Sequence, residues 1–182
     1  GIKAEVAAIT ASAMRGEIDF AESLARRVAL LTGLPATELE RVYDERLRIS
    51  PGAVRMLTAF KAAGATTALV SGGFTFFTDR LKATLPLDVA VANTLEVAGG
   101  RLTGRIEGAI IDGEAKAAAV RALKAKSGGD GIAVAIGDGA NDLPMFAASD
   151  VAIAYRAKPV VRAQATYALD FCGLDGAVNF FR

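Results

Sequence analysis

Apolar residues recur at helical spacing through the first fifty residues of the chain. Two runs show it: Val6, Ile9 and Ala13, then Phe20, Leu24, Val28 and Leu31. Asp19 stands three residues before Glu22, and Thr37 three residues before Glu40. This spacing is typical of a capping box, in which the first side chain satisfies free N–H groups at a helix start. The pattern predicts three short helices in residues 1–50.

From residue 51 onward, helical patterns alternate with short apolar runs. The predicted order is a helix over 51–63, a strand over 67–70, a helix through 81, a strand over 132–136, a helix from 142, a strand over 151–154 and a helix near 159. A hairpin is predicted over 94–106, where Gly99 and Gly100 separate two strand-like runs. Strands alternating with helices indicate a parallel sheet covered on both faces. We therefore expect two domains, a small helical segment over 1–50 and an α/β Rossmann-like core over 51–182.

Composition narrows the classes of function. Lys and Arg total 21 against 20 Asp and Glu, so no global field favours nucleic acid or an anionic membrane as a partner. No apolar run approaches the ~20 residues that span a bilayer. Histidine is absent, which excludes histidine acid/base chemistry and imidazole metal sites. The single cysteine, Cys172, excludes an internal disulfide and fits a reducing cytoplasm. Carboxylates must therefore carry any acid/base work.

The sharpest chemical signal is an acidic loop that follows the apolar run 133–136. Asp138, Asn141 and Asp142 crowd this loop, with Gly137 and Gly139 on either side of Asp138. In an open parallel sheet, ligands bind at the carboxyl ends of strands, where this loop falls. Asn141 could instead cap the next helix while Asp138 stabilises a turn. One cap needs one polar residue, however, and the three together favour a Mg²⁺ site.

A second loop, Ser71-Gly72-Gly73, also joins a strand to a helix. A hydroxyl and exposed N–H groups near a helix start suit a phosphate group, although Ser71 could be an ordinary helix cap. Lys116 stands near the start of a predicted helix, where a cation opposes the helix dipole. Arg27 lies beside the apolar stripe of the helical segment. Taken alone, both cations could equally be solvated surface residues.

Together these segments resemble the haloacid dehalogenase superfamily and, within it, the phosphoserine phosphatases. The matching segments stand in the family's order at residues 14–28, 70–74, 92–93, 102–104, 137–142 and 157–159. The resemblance implies a helical cap over an α/β core, Mg²⁺ as cofactor and hydrolysis of O-phosphoserine to serine and phosphate through an aspartyl phosphate. It places that reaction at the last step of serine biosynthesis. It implies no nucleic-acid or membrane partner and leaves the oligomeric state undefined.

The resemblance also implies a role for individual residues. Ser71 and Gly72 would bind phosphate oxygens, Lys116 would neutralise charge in the transition state, and Asp138 would ligate Mg²⁺. Asn141 would bind substrate, and Asp142 would support the metal and the lysine. In the cap, Arg27 would hold the substrate carboxylate, and Phe20 and Met14 would close over it.

One motif of that family is absent from the sequence. No Asp-x-Asp occurs in the 182 residues, whereas in the family an apolar strand ends in this motif and its first aspartate attacks the phosphate. The resemblance thus places the nucleophile upstream of residue 1, on the central strand of the sheet. We expect the two neighbouring strands to have unpaired edges and these residues alone to be inactive.

Two other functions remain open at this point. A sister phosphatase or phosphotransferase would act on another small phosphomonoester, such as phosphohomoserine or phosphoethanolamine. A non-catalytic phosphate-binding domain would lack the first motif altogether. Arg27 separates the esters that lack a carboxylate, such as phosphoethanolamine, because a substrate without that group does not need the guanidinium.

Overall fold

The first fifty residues form three helices, as predicted, in a computed structural model that describes residues 2–128 and 131–181. Helix α1 spans Ile2–Met14, α2 spans Phe20–Ala29 and α3 spans Thr37–Arg46. The Asp19 side chain accepts a hydrogen bond of 2.7 Å from the N–H of Glu22, so the predicted cap of α2 is confirmed.

The predicted cap at Thr37 is wrong. Helix α3 starts at Thr37 with Ala36 at the N-cap position and no side-chain hydrogen bond there. The N–H of Ala36 donates to the carbonyl of Gly100 at 2.9 Å, and Pro35 bridges to Arg101. Because of these contacts with the hairpin, the helix begins one residue earlier than the capping pattern indicates. A tertiary contact thus overrides the local signal at this helix start.

The rest of the chain alternates strands and helices in the predicted order. The elements are α4 (Ala53–Ala62), β1 (Ala68–Phe74), α5 (Thr75–Thr84), β2 (Val89–Ala98), β3 (Arg101–Glu107), α6 (Gly113–Lys126), β4 (Val134–Gly137), α7 (Leu143–Ala148), β5 (Val151–Tyr155), α8 (Pro159–Arg162) and β6 (Tyr167–Leu169). Short 3₁₀ helices cover Ala140–Asp142 and Leu174–Phe181. The hairpin is confirmed, and Gly99 and Gly100 at its turn have positive φ angles of 55° and 74°.

The strands form two three-stranded sheets rather than one. In the first, β1 pairs parallel with β2, and β2 pairs antiparallel with β3. In the second, β4, β5 and β6 are parallel. Within residues 2–128 and 131–181, β1 and β4 each lie at the edge of a sheet and are not paired with each other. The two unpaired edges expected from the sequence are therefore present.

Packing places α2 against the hairpin and covers the second sheet. Leu24 and Val28 of α2 are buried against Leu95 and Leu102 of β2 and β3. One apolar cluster joins β4 and β5 to α7, and another joins β5 and β6 to α4 and the C-terminal 3₁₀ helix. The predicted cover on both faces is confirmed for this sheet. In the part of the chain described, no helix has the length and apolar character to cross a membrane.

Backbone contact also holds α2 close to β3. Gly104 has φ +82°, and a Cβ added to it would clash with the hydroxyl of Thr32 and lie 3.3 Å from the Ala29 carbonyl. Only glycine permits both this backbone conformation and this approach. The end of α2 is thereby held on the hairpin, which directs the Phe20–Arg27 face of the helix toward the ends of β1 and β4.

Candidate active site

A cleft of about 550 Å³ lies between α2 and the carboxyl ends of β1 and β4. Eight of the nine site residues predicted from the sequence line it: Phe20, Arg27, Ser71, Gly72, Lys116, Asp138, Asn141 and Asp142. They come from four separate segments of the chain. Two of these segments follow the carboxyl ends of the parallel strands β1 and β4, where ligands bind in such sheets, and the other two lie on α2 and α6.

Asp142 organises the acidic loop. One of its carboxylate oxygens, Oδ2, accepts hydrogen bonds from the N–H groups of Asp138 (3.0 Å) and Gly139 (3.1 Å). A Cβ at position 137 would lie 2.5 Å from this oxygen, so Gly137 is required for the loop to close on Asp142. The other oxygen, Oδ1, accepts from Nζ of Lys116 at 2.6 Å. Both carboxylate oxygens of Asp142 are thus engaged inside the protein.

Lys116 is buried, which the sequence did not indicate. It lies in the first turn of α6, where Asp112 caps the helix by accepting from the N–H of Ala115 at 2.8 Å. The side chains of Lys116 and Asp142 are each only 7% exposed. A buried cation is stable there because a carboxylate lies beside it. The alternative that Lys116 is an ordinary surface lysine is wrong.

Asp138 differs from Asp142 in that its carboxylate is exposed to the cleft. Its backbone N–H is bonded to Asp142, but no hydrogen bond or ion pair to its side chain is found among the described residues. In the described ranges, no group of three or more acidic, cysteine or histidine side chains that could hold a metal ion occurs. One free carboxylate fits Mg²⁺, which is commonly held by one or two carboxylates together with waters and substrate phosphate.

The helix-cap alternative for this loop is not what the structure contains. Helix α7 begins after Asp142 and has no side-chain hydrogen bond at its N-cap, so Asn141 does not cap it. Asn141 instead lies on the wall of the cleft. Its side chain is therefore available to a ligand.

The Ser71-Gly72-Gly73 loop is a bulge at the end of β1. Val70 pairs with Val91 and Phe74 pairs with Asn93, so β1 has two more residues than β2 across this interval. The Ser71 hydroxyl accepts from the N–H of Gly73 at 3.0 Å. The alternative that Ser71 caps a helix is wrong, because α5 starts at Thr75 with Phe74 as its N-cap.

Phe20 and Gly72 bring α2 into contact with this bulge. A Cβ at position 72 would lie 2.8 Å from Cζ of Phe20, so glycine is what allows the ring to cover the loop. The ring closes one side of the cleft over the exposed backbone of the bulge. A ligand at the bulge is thereby shielded from water on that side.

Arg27 faces the cleft one helical turn after Ser23. Its Nε donates to the carbonyl of Ser23 at 3.2 Å, and no carboxylate within the described residues forms an ion pair with it. Its neighbour Arg26 is instead exposed and pairs with Glu22 at 2.5 Å. The terminal nitrogens of Arg27 are therefore free to bind a carboxylate in the cleft.

Met14, the ninth predicted residue, does not line the cleft. Met14 is 68% exposed, and its Sδ lies 3.9 Å from Nζ of Lys158. In its place, Val6 of α1 joins Leu24 and Val28 of α2 and Leu31, just after that helix, in an apolar wall. The apolar stripe in the sequence contained these residues, but periodicity does not distinguish a cleft wall from a core.

Comparisons with known proteins agree with this geometry. A sequence model described as haloacid dehalogenase-like hydrolase matches residues 3–147. A phosphoserine phosphatase of Polaromonas sp. strain JS666 is 51% identical over 96% of this chain and 77% of the relative. A probable phosphoserine phosphatase structure from Vibrio cholerae has a TM-score of 0.87 and 43% identity, covering 96% of this chain and 54% of that one.

A third similarity is to a phospho-aspartyl intermediate analogue of a phosphoserine phosphatase. It has a TM-score of 0.87 and 36% identity, covering 97% of this chain and 84% of the solved chain. This chain therefore spans between about half and four fifths of these proteins. It belongs to the haloacid dehalogenase-like hydrolase family and groups there with the phosphoserine phosphatases.

Proposed function

We propose that the protein carrying this chain hydrolyses O-phosphoserine to serine and phosphate. The observation that carries the proposal is that one cleft joins a free guanidinium, Arg27, to the Ser71 bulge and the buried Lys116–Asp142 pair. These groups match the two ends of the substrate. The bulge and lysine suit the phosphoryl group, and the guanidinium suits the carboxylate of the amino acid.

In this proposal each residue has one task. Ser71 and the backbone N–H groups of the bulge hold phosphate oxygens, and Lys116 stabilises the charge that they carry in the transition state. Asp142 fixes the position of the lysine. Asn141 donates to the bound ester, and Phe20 excludes water. Helices α1–α3 act as the cap, with Met14 at its rim rather than inside the cleft.

The attacking group is a carboxylate that forms an aspartyl phosphate, as in the relative solved as a phospho-aspartyl analogue. Since no Asp-x-Asp occurs in these 182 residues, we propose that upstream sequence supplies it. Cleavage transfers the phosphoryl group to that aspartate, and the second aspartate of the motif protonates the leaving oxygen so that serine departs as the alcohol. Water then attacks the acyl phosphate and releases inorganic phosphate. The exposed thiol of Cys172 fits a cytoplasmic location.

Arg27→Ala tests the choice of substrate. We expect kcat/KM for phosphoserine to fall about ten- to a hundredfold, because a charge-assisted hydrogen bond contributes about 1.5–3 kcal/mol. Turnover of phosphoethanolamine, which has no carboxylate, should not change. Arg26→Ala is the matched control, since its side chain is directed to solvent and pairs with Glu22. Steady-state kinetics on both esters is the measurement.

Two results would contradict this assignment. An equal loss of kcat/KM on both esters would show that Arg27 does not recognise the carboxylate. It would favour a phosphatase for another small phosphomonoester. A wild-type protein that hydrolyses neither ester, yet binds inorganic phosphate, would favour the non-catalytic binding domain.

Asp138 would hold Mg²⁺, which when bound supplies positive charge beside the phosphoryl oxygens. Asp138→Asn should raise the Mg²⁺ concentration for half-maximal activity by at least about tenfold, because the site loses its free carboxylate. Titration of activity with Mg²⁺ measures this, and the rise in Tm that Mg²⁺ produces should shrink in parallel. Asp150→Asn is the control, since Asp150 lies at the opposite end of the second sheet. An unchanged Mg²⁺ response in Asp138→Asn would rule out this ligand.

A further inference from the structure

Asn93, near the middle of β2, is almost completely buried, with 1% of its surface exposed. Its Nδ2 donates to the carbonyls of Gly72 (3.0 Å) and Gly73 (3.3 Å), and its Oδ1 accepts from the N–H of Ile111 (2.8 Å). The orientation of the amide follows from these partners, because carbonyls only accept and a backbone N–H only donates. A single side chain thus binds two separate segments, the Ser71-Gly72-Gly73 bulge and the loop before α6.

The bulge in β1 explains why this side chain is needed. Regular pairing between β1 and β2 stops at Val70 and resumes at Phe74. The carbonyls between these positions have left the strand register, and a buried carbonyl without a donor is costly. The amide of Asn93 supplies that donor. The Asn93 side chain replaces the backbone hydrogen bonds between β1 and β2 at the point where the β1 backbone leaves the sheet to form the Ser71-Gly72-Gly73 bulge.

These hydrogen bonds also orient Ser71. Because a trans peptide is planar, fixing the Gly72 carbonyl directs the N–H of Gly73 to the opposite side. That N–H donates to Oγ of Ser71 at 3.0 Å. The serine oxygen is thereby used as an acceptor, and its own proton remains free for a ligand oxygen.

The Oδ1 atom of Asn93 positions Lys116 indirectly, through Ile111. Ile111 immediately precedes Asp112, which caps α6, and the N–H of Lys116 donates to the Asp112 carbonyl at 3.1 Å. The bond from Ile111 to Asn93 therefore fixes the start of the helix that carries the lysine. The Ser71-Gly72-Gly73 bulge and Lys116 are therefore both positioned by the side chain of Asn93.

We infer that Asn93 is a positioning residue that sets the Ser71 loop and Lys116 at the spacing the transferring phosphoryl group requires. The inference rests on the proposed function. Asn93 contacts neither substrate nor metal in this role. It acts by holding two groups in register, and small misplacements of such groups are costly to rate.

The test uses Asn93→Asp and Asn93→Ala in the full-length protein with Mg²⁺. Aspartate keeps the shape and the acceptor for Ile111 but loses both donors to the bulge. We expect kcat for phosphoserine to fall at least about tenfold in both variants, with KM changing less, because the spacing matters most in the transition state. The affinity for inorganic phosphate, measured by calorimetry, should also weaken.

Thr67→Val is the matched control. Thr67 is 7% exposed and its hydroxyl donates to the Pro86 carbonyl at 2.6 Å, at the other end of the same two strands. It should lower Tm while leaving kcat within about twofold of wild type below the transition. If Thr67→Val lost as much activity as Asn93→Asp at a similar Tm, the loss would be general destabilisation and the inference would be overturned.

Three further results are informative. Folded Asn93 variants with wild-type kcat and phosphate affinity would overturn the positioning role. A wild-type protein that binds phosphate but does not hydrolyse phosphoserine would overturn the proposed function alone. In that case the affinity for inorganic phosphate tests the role of Asn93. Equal affinity in wild type and Asn93→Asp would overturn the positioning role. Absence of both activities in wild type would overturn both.

Discussion

Replacing Lys116 with methionine is expected to lower kcat for phosphoserine by about a thousandfold, the largest loss of activity for any single change in these residues. Methionine fills a similar volume but removes the buried charge that faces the phosphoryl oxygens. A single preorganised donor contributes about 10²–10³ to kcat, and cationic groups in phosphoryl transfer contribute more. Single-turnover kinetics of the purified variant is the measurement.

Lys124→Met is the control for this change. Lys124 lies on the same helix two turns later and pairs with Asp150 at 2.7 Å on a partly exposed surface. Its loss should leave kcat unchanged. If Lys116→Met retained more than about a tenth of wild-type kcat, transition-state stabilisation by this lysine would be excluded.

Asp142→Ala is expected to cause the largest loss of stability. It removes the acceptor of Nζ of Lys116 and of the N–H groups of Asp138 and Gly139 together. Breaking one side of a buried ion pair costs about 3–5 kcal/mol because the remaining charge is left without a partner. For a chain of this size, the Tm should fall by roughly 10 °C. Thermal unfolding followed by circular dichroism measures the change.

The two partners of this pair should differ in a specific way. Lys116→Met leaves Asp142 with two backbone donors, whereas Asp142→Ala leaves the ammonium of Lys116 without any acceptor among the described residues. The aspartate variant should therefore be the less stable of the two. Glu22→Ala is the comparison for a surface pair and should cost less than about 1 kcal/mol. A Tm for Asp142→Ala equal to that of Glu22→Ala would contradict the buried-pair description.

Much of the fold follows from periodicity in the sequence. The apolar run before Asp138 predicted a strand because a strand covered on both faces is apolar throughout, and the stripe from Phe20 to Leu31 predicted α2 because helical geometry sets a period of 3.6 residues. The short strand β6 was not predicted, since three residues are too few to show a period. The helix start at Thr37 was misplaced because its position depends on the hairpin some sixty residues away in sequence.

The sequence predicted less of the chemistry of the site than of the fold. Residue types and spacing identified the acidic loop and the serine loop, but the burial of Lys116 depends on Asp142, 26 residues away in sequence. The role inferred for Asn93 depends on a bulge in the neighbouring strand. Neither fact has a local pattern, because both arise from the way separate segments meet. Met14 lies outside the cleft for the same reason.

The hydrogen bonds and the ion pair of the site also connect the two sheets to each other. Within the described residues no backbone ladder joins β1 to β4, yet polar bonds run without a break from Gly72 through Asn93 and Ile111 to α6, and from Lys116 to Asp142. These bonds couple the two sheets through the ligand-binding groups, in addition to the central strand that we propose upstream sequence supplies between β1 and β4. Occupancy of the cleft and the folding of the two halves as one unit become thermodynamically linked.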